Sequence, residues 1–174
     1  LTALAARMSP MDPLQPADGG YGPLVSRAAA EDLAAKVDDA VAKGATLHAG
    51  GTLGPDGTGY YAPAVLTGVT PEMRAFREEL FGPVAVVYRV DSADEAVRLA
   101  NDSDYGLGGC VFSTDQAEAE RVADELEVGM THANLYAAEG AEVPFGGVKR
   151  SGFGRELGPL GIDEFVNKRL LSVH

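Results

Sequence analysis

The sequence is poor in cysteine, in basic residues and in long apolar runs, and each scarcity excludes a class of protein. Its single cysteine, Cys110, rules out an internal disulfide and fits the reducing environment of the cytoplasm. It has 14 Lys and Arg but 26 Asp and Glu, which gives a formal net charge of -12. This charge disfavours binding to nucleic acid or to an anionic membrane surface. No apolar run approaches the length that spans a bilayer, and no signal peptide is recognisable. We therefore expect a cytoplasmic protein whose partners include neither nucleic acid nor a membrane.

The three histidines and the one cysteine form no recognisable metal or nucleophile motif. His48, His132 and His174 match no zinc spacing, and no second cysteine could join them. No G-x-S-x-G elbow supports a Ser-His-Asp triad, although such triads assemble in space rather than in sequence. Cys110 lies in a predicted strand with no histidine near it in the sequence, so we interpret it as a buried core residue. The sequence thus predicts no metal site.

Hydrophobic periodicity, capping residues and turn signals predict an α/β fold. The first residues have helical spacing, and four Pro and three Gly mark 9–24 as a loop. Ser26, Ser92 and Thr114 each stand where a helix should begin. The predicted strands are 45–51, 62–69, 84–90, 105–113 and 128–134, and the predicted helices are 26–43, 92–101, 114–127 and 156–165. Because strands and helices alternate from residue 84 onward, we expect a largely parallel sheet with helices on both faces.

The segment EELFGPV, residues 78–84, admits two interpretations. Glu78 and Glu79 precede a predicted core strand, and charged side chains at such a position are commonly solvated. Phe81 and the Gly82-Pro83 turn that follows it favour a different interpretation. A carboxylate and a ring two residues apart, held by a rigid turn, could accept hydrogen bonds from two hydroxyls and pack against a flat ring. That is the chemistry of a nucleotide contact, and the segment alone does not decide between the two.

The glycine-rich segment FGGVKRSGFGRELG, residues 145–158, does not match a phosphate-binding loop in detail. A Walker loop requires Gly directly before its Lys, whereas Val148 precedes Lys149. A dinucleotide fingerprint requires a third Gly where this sequence has Leu157. We therefore predict a loop whose glycines permit positive φ angles and close approach of the backbone, followed by a helix.

Three segments together resemble one enzyme family over essentially the whole chain. Residues 78–115, EELFGPVAVVYRVDSADEAVRLANDSDYGLGGCVFSTD, and residues 143–173, VPFGGVKRSGFGRELGPLGIDEFVNKRLLSV, are similar to the C-terminal half of the catalytic domain of NAD(P)-dependent aldehyde dehydrogenases. Residues 12–33, DPLQPADGGYGPLVSRAAAEDL, resemble the linker of that family and its following helix. The ending, ELGPLGIDEFVNKRLLSV, most resembles succinate-semialdehyde dehydrogenase-like members.

This resemblance implies roles for three residues. Glu79 matches the glutamate that hydrogen-bonds the nicotinamide-ribose hydroxyls of NAD or NADP, and Phe81 matches the phenylalanine that packs near the nicotinamide. Phe145 matches a position near the tunnel through which a small aldehyde substrate enters. Residues 136–143 match a loop that varies with the aldehyde, and Glu139 and Glu142 within it would suit an anionic semialdehyde poorly.

The resemblance also implies what this chain does not carry. In the family a cysteine thiolate attacks the aldehyde, hydride passes to the nicotinamide, and a glutamate activates water to hydrolyse the thioester. The nucleophile, the general base and the Rossmann domain all lie upstream of the segment that Leu1 matches, so we expect no catalytic residue here and no activity of the chain alone.

The resemblance further divides the chain into a partial catalytic domain, 1–168, and a C-terminal strand, 169–174, of the oligomerisation region. We expect a homo-oligomer formed through that strand, whose edge is free to pair with another chain. The alternative interpretation is a stand-alone, non-catalytic binding or assembly module of the same fold.

Overall fold

The structure is a computed structural model that describes residues 1–137 and 140–174, and its contacts divide the chain into two compact units, Leu1–Arg89 and Val90–His174. The elements of the first unit are α1 (Thr2–Ala5), β1 (Ser9–Pro10), β2 (Gly20–Tyr21), α2 (Arg27–Ala42), β3 (Thr46–Ala49), β4 (Ala64–Thr67), α3 (Arg74–Arg77) and β5 (Val84–Val87). Those of the second unit are α4 (Ala93–Asn101), β6 (Tyr105–Gly106), β7 (Gly108–Val111), α5 (Gln116–Glu125), β8 (Met130–Ala133), β9 (Val148–Lys149) and α6 (Gly158–Asp163).

The first unit is built on a three-stranded sheet whose central strand is β4. It pairs antiparallel with β3 and parallel with β5. The long helix α2 begins where the sequence predicts, because the Ser26 hydroxyl accepts a hydrogen bond from the backbone N–H of Ala29 at 3.1 Å. The apolar stripe of α2 packs into one core with residues of the sheet, and Leu33, Val37, Tyr61 and Leu66 are its largest fully buried side chains. This core fixes the position of the segment that leads into β5.

The second unit contains a strand, helix, strand unit of the predicted kind. β7 and β8 pair in parallel, with Cys110 opposite His132, and α5 crosses between them and packs against both strands. The predicted cap of α5 is wrong by one residue. Asp115, not Thr114, accepts hydrogen bonds from the backbone N–H groups of Ala117 and Glu118 at 3.0 and 3.2 Å. A carboxylate is as good a cap as a hydroxyl and carries a charge that the N-terminal helix dipole favours.

The predicted α/β fold is confirmed, with mixed strand directions. Parallel pairs are β1 with β2, β4 with β5, and β7 with β8, whereas β3 with β4 and β6 with β9 are antiparallel. The observed elements depart from the sequence prediction in several places, and two of them concern strand pairing. The loop predicted at 9–24 contains the short β1–β2 pair, and β5 takes β4 as its neighbour. Alternation along the chain does not by itself decide which strands pair.

Residues 169–174 lie outside the helices and strands, and the side chains of Leu170 and Val173 are almost fully exposed. A strand needs a partner to supply its hydrogen bonds, so the oligomerisation strand and the domain boundary at 168 stay predictions. Among the described residues, no helix combines the length and apolar character that crossing a bilayer requires.

One buried hydroxyl yields a prediction about stability. Tyr61 is fully buried, and its hydroxyl finds no hydrogen-bond partner among the described residues. Burial, helped by the charge of Asp38, raises the pKa of this phenol from 10.0 to about 12. Tyr61→Phe should therefore raise the free energy of unfolding at neutral pH by about 1 kcal/mol, because it removes an unpaired buried polar group.

Tyr61→Phe should also reduce the amount by which the free energy of unfolding falls at alkaline pH. Between pH 10 and 12 the phenol ionises in the unfolded chain but stays protonated in the folded one, so stability falls with rising pH in the wild type. Tyr60→Phe is the matched control, because its hydroxyl donates to the Met11 carbonyl at 2.7 Å and its loss should destabilise. Urea unfolding of both variants at pH 7 and 11 checks this, and a destabilised Tyr61→Phe protein would contradict it.

Candidate functional site

The two carboxylates of the EELFGPV segment have different surroundings. Arg74 binds the Glu78 carboxylate with two hydrogen bonds, Nε to Oε1 at 2.7 Å and Nη2 to Oε2 at 2.8 Å. These bonds, and then the charge of Arg74, hold the pKa of Glu78 below its ordinary value. Glu79 is exposed, and its carboxylate makes no hydrogen bond or ion pair within the described part of the chain. Glu78 therefore belongs to the scaffold, whereas Glu79 presents a free acceptor to its surroundings.

Helix α2 holds the backbone of Glu79 through a hydrogen bond. Lys36, only 8% exposed, donates from Nζ to the Glu79 carbonyl at 2.9 Å. Its ammonium is also 2.8 Å from Asp32 Oδ2 and 3.9 Å from Glu78 Oε2. The hydrogen bond from Lys36 is the main cause that lowers the pKa of Asp32. The main chain at Glu79 is thus anchored to a rigid helix while its side chain remains free.

Phe81 adopts a backbone conformation that aromatic residues rarely take. Its φ angle is +50°, in the left-handed region, and its side chain is 79% exposed. Such a conformation costs of order 1 kcal/mol and persists only where neighbouring structure imposes it. Gly82 supplies part of that constraint, because a Cβ at this position would overlap the side chain of the buried Leu33 on α2. The segment therefore displays an apolar ring to solvent at an energetic cost, which is typical of a binding position.

Glu79 and Phe81 fit the nicotinamide-ribose end of a dinucleotide. An ionised carboxylate accepts hydrogen bonds from two hydroxyls, and an exposed ring offers a face for packing. Both groups stand on the short segment between α3 and β5, which the core holds at both ends. Their chemistry and exposure match the roles that the resemblance implies, and the contact itself stays a prediction.

Phe145, in the second unit, lines an open cavity of about 740 Å³. A pair of backbone hydrogen bonds with Glu156, at 2.9 and 2.6 Å, fixes its main chain. The loop lies close to the start of β8, since a Cβ on Gly129 would overlap the carbonyl of Gly146. The other walls come from β7, from β8 with His132, from the loop after β8 with Tyr136, and from Leu157 just before α6. An aromatic ring in the wall of a mostly apolar cavity suits contact with a small organic molecule.

The interpretation of Cys110 as a buried core residue is wrong. Its side chain is exposed and lines the same cavity, on the face of β7 that also carries Gly108. Strand alternation places every second residue on each face, and the sequence pattern alone did not identify which face α5 covers. His132 lies opposite Cys110 in the strand register, although 22 positions separate them in the sequence. Neither the resemblance nor the geometry gives Cys110 the role of nucleophile.

Within residues 1–137 and 140–174 no group of three or more His, Cys, Asp or Glu side chains could hold a metal ion. Glu142 is exposed, and Glu139 lies outside the described residues. Lys36 is the residue that sequence reasoning missed. Its position three residues after Leu33 on the apolar stripe of α2 was the available signal.

The different surroundings of Glu78 and Glu79 can be tested by thermal unfolding. Glu78→Gln should lower the Tm at pH 7 by a few degrees, because it removes the charge that Arg74 binds. Glu79→Gln, the matched control, should stay within about 1 °C of the wild type. The contribution of Glu78 exists above the ordinary glutamate pKa and disappears as pH falls through its lowered folded pKa. The Tm difference between Glu78→Gln and wild type should therefore shrink below about pH 4. Equal effects of Glu78→Gln and Glu79→Gln on the Tm at pH 7 would refute the assignment of Glu78, and not Glu79, to the scaffold.

Comparison with known proteins places this geometry in a family. A model described as the aldehyde dehydrogenase family matches residues 1–171. Among solved structures, a succinate-semialdehyde dehydrogenase from Burkholderia pseudomallei is 41% identical with a TM-score of 0.85, over 94% of this chain and 34% of that one.

Curated relatives give the same picture. The succinate-semialdehyde dehydrogenase [NADP(+)] of Deinococcus radiodurans is 56% identical over 93% of this chain and 34% of its own length. The succinate semialdehyde dehydrogenase [NAD(P)+] Sad of Escherichia coli is 44% identical over 95% of this chain and 36% of its own length. The chain thus spans about a third of the length of these relatives. Since the family match extends over nearly all of its residues, the chain belongs to the aldehyde dehydrogenase family.

Proposed function

We propose that this chain is the C-terminal part of the catalytic domain of an NAD(P)-dependent aldehyde dehydrogenase that converts a small aldehyde to its carboxylic acid. The observation that carries the proposal is the exposed carboxylate of Glu79, unpaired among the residues that the structure describes, two positions before the exposed ring of Phe81 on a segment anchored by Lys36. The family match and relatives that use NADP or NAD support the choice of cofactor. When bound, the nicotinamide accepts the hydride that the aldehyde loses.

In this proposal the residues of the chain bind and orient, and the covalent chemistry belongs to other parts of the enzyme. Glu79 accepts hydrogen bonds from the hydroxyls of the nicotinamide ribose, which fixes the rotation of that sugar. Phe81 packs near the nicotinamide and keeps water from one side of it. The nucleophilic cysteine, the general base and the Rossmann domain lie outside this chain, so the chain alone has no activity.

The proposed substrate is succinate semialdehyde or an aldehyde of similar size. The names of the two curated relatives above support this choice. The second unit contributes Phe145 to the wall of the cavity that the substrate approaches. The carboxylate of Glu142, exposed on the loop before Phe145, favours an uncharged aldehyde over succinate semialdehyde, because it would repel the carboxylate of the semialdehyde. Activity toward semialdehydes and toward uncharged aldehydes of the same length distinguishes the two classes.

The deciding experiment compares this chain with the full reading frame that encodes it. The protein from the full frame should reduce NAD or NADP when given succinate semialdehyde, and the purified 174-residue chain should show no turnover. Cys110→Ala in the full-length protein should keep at least half of the wild-type kcat, because the thiol has no proposed role. The proposal fails if the full-length protein has no aldehyde-dependent activity, or if the chain alone turns over.

A second observation favours a role of the C-terminal residues in assembly. Leu170 and Val173 are 90% and 85% exposed, and Leu171 between them is 72% exposed. Exposed apolar residues on a terminal segment outside the helices and strands commonly mark a surface that another chain covers. This observation supports a homo-oligomer built through residues 169–174, in the enzyme or in a stand-alone assembly module.

Removing the last residues tests the assembly proposal. Deletion of 169–174 from the full-length protein should reduce the mass measured by light scattering to that of a smaller assembly. Leu170→Ser with Val173→Ser should act in the same direction, whereas Arg169→Ser should leave the mass unchanged because it keeps the apolar side chains. An unchanged mass after the deletion would contradict assembly through this segment.

A further inference from the structure

Lys36 is a buried cation on the face of a helix that otherwise packs into the core. It lies between Leu33 and Val37 in the buried stripe of α2, and only 8% of its surface is accessible. Burying an ammonium costs several kcal/mol unless charged and polar partners surround it. Lysine is rarely buried to this extent in proteins without such partners. The position of Lys36 therefore requires a specific set of contacts.

The contacts of Lys36 converge on the segment that carries Glu79. Nζ donates to the Glu79 carbonyl at 2.9 Å and is 2.8 Å from Asp32 Oδ2. Asp32 in turn lies 3.4 Å from Arg74, which also holds Glu78. The ammonium thus links α2 to the main chain at Glu79, and the carboxylates of Asp32 and Glu78 offset its charge.

The anchored carbonyl lies two residues before the strained backbone of Phe81. A φ of +50° at Phe81 relaxes unless the flanking residues are fixed. After Phe81, the side chain of Leu33 packs closely against Gly82. Before Phe81, the Lys36 ammonium binds the Glu79 carbonyl. Both restraints come from α2, one helical turn apart.

We propose that Lys36 is a positioning residue for cofactor binding, which rests on the function proposed above. Its ammonium fixes the main chain of Glu79, so that the carboxylate and the Phe81 ring stand ready before the nicotinamide-ribose end of NAD or NADP arrives. Pre-ordering of this kind strengthens binding because the ordering entropy is not lost at the binding step. Lys36 itself touches neither cofactor nor substrate.

The test measures the dissociation constant of NAD and NADP for the full-length protein by fluorescence titration. Lys36→Met keeps the apolar stem and removes the donor, and it should raise the dissociation constant about tenfold, the equivalent of one charged hydrogen bond. Lys36→Arg retains a donor and should recover part of that loss. The KM for the cofactor should rise with the dissociation constant, while the KM for the aldehyde stays unchanged.

Lys43→Met is the matched control. Lys43 lies on the same helix, pairs with Asp39 four residues before it at 2.7 Å, and donates to a backbone carbonyl, that of Glu72, at 2.8 Å. It thus makes the same kinds of contact, but its carbonyl partner is Glu72 rather than Glu79. Cofactor affinity should not change in Lys43→Met, although its Tm should fall slightly.

A double-substitution cycle with Glu79→Gln separates this inference from the function on which it rests. If Glu79→Gln leaves cofactor affinity unchanged, the proposed role of Glu79 fails and the inference fails with it. If Glu79→Gln weakens binding but Lys36→Met resembles Lys43→Met, only the inference is overturned. Positioning predicts that Lys36→Met has a smaller effect once Glu79 is replaced than it has in the wild type, because only the Phe81 ring is left to position, whereas fully additive effects would refute it.

A further variant covers the case in which Lys36→Met does not fold. Asp32 is more than half exposed, and Asp32→Asn weakens the hold on the ammonium without opening the core. It should raise the dissociation constant for NAD and NADP by a few-fold, in the same direction as Lys36→Met. Unchanged affinity in a folded Asp32→Asn protein, with Glu79→Gln still impaired, would overturn the inference.

Discussion

The contact between the Lys36 ammonium and the Glu79 carbonyl is the constraint on which the rest of the candidate site depends. A buried charge cannot stay unpaired, so α2 and the segment before β5 must keep the same relative position in the folded state. That requirement fixes the main chain of Glu79 and leaves its side chain free to bind. It also supports the φ of +50° at Phe81, which a free loop would not keep. The exposure of this carboxylate and this ring is thus a consequence of how α2 is packed.

Two adjacent glutamates illustrate how local charge divides scaffold from site. Glu78 lies within reach of Arg74 and Lys36, and the hydrogen bonds and charge of Arg74 lower the pKa of its carboxyl group. One residue further on, the exposed Glu79 carboxylate forms no ion pair with either of these two cations. A carboxylate that already satisfied its hydrogen bonds inside the protein would have little left to offer a ligand. The ion pair at Glu78 balances the charge beneath the segment and leaves the acceptors of Glu79 available.

Sequence reasoning located the helix starts to within one residue and failed where distant parts of the chain decide the outcome. Ser26 and Ser92 cap their helices because a hydroxyl and the N–H three residues on are neighbours in the chain. The prediction that Thr114 caps α5 was wrong because the carboxylate of the adjacent Asp115 accepts the hydrogen bonds of the first helical turn. Cys110 was judged buried because strand alternation does not say which face the helix covers. Lys36 was missed because its partner lies 43 residues away, a distance no periodicity reaches.

The glycine-rich loop shows why a characteristic motif need not be a binding loop. At Gly129 and at Gly147 a side chain would overlap neighbouring backbone or side-chain atoms, so these glycines allow the loop to lie close to β6 and β8. The hydroxyl of Ser151 then accepts a hydrogen bond from the Gly106 N–H at 3.0 Å and fastens the loop to that strand. Close backbone packing of this kind gives these glycines a structural role, in keeping with the mismatch to both phosphate-binding patterns. Its effect is to hold Phe145 in the wall of the cavity, as α2 holds the segment that carries Glu79 and Phe81, so in each unit packed elements fix the main chain beneath exposed side chains.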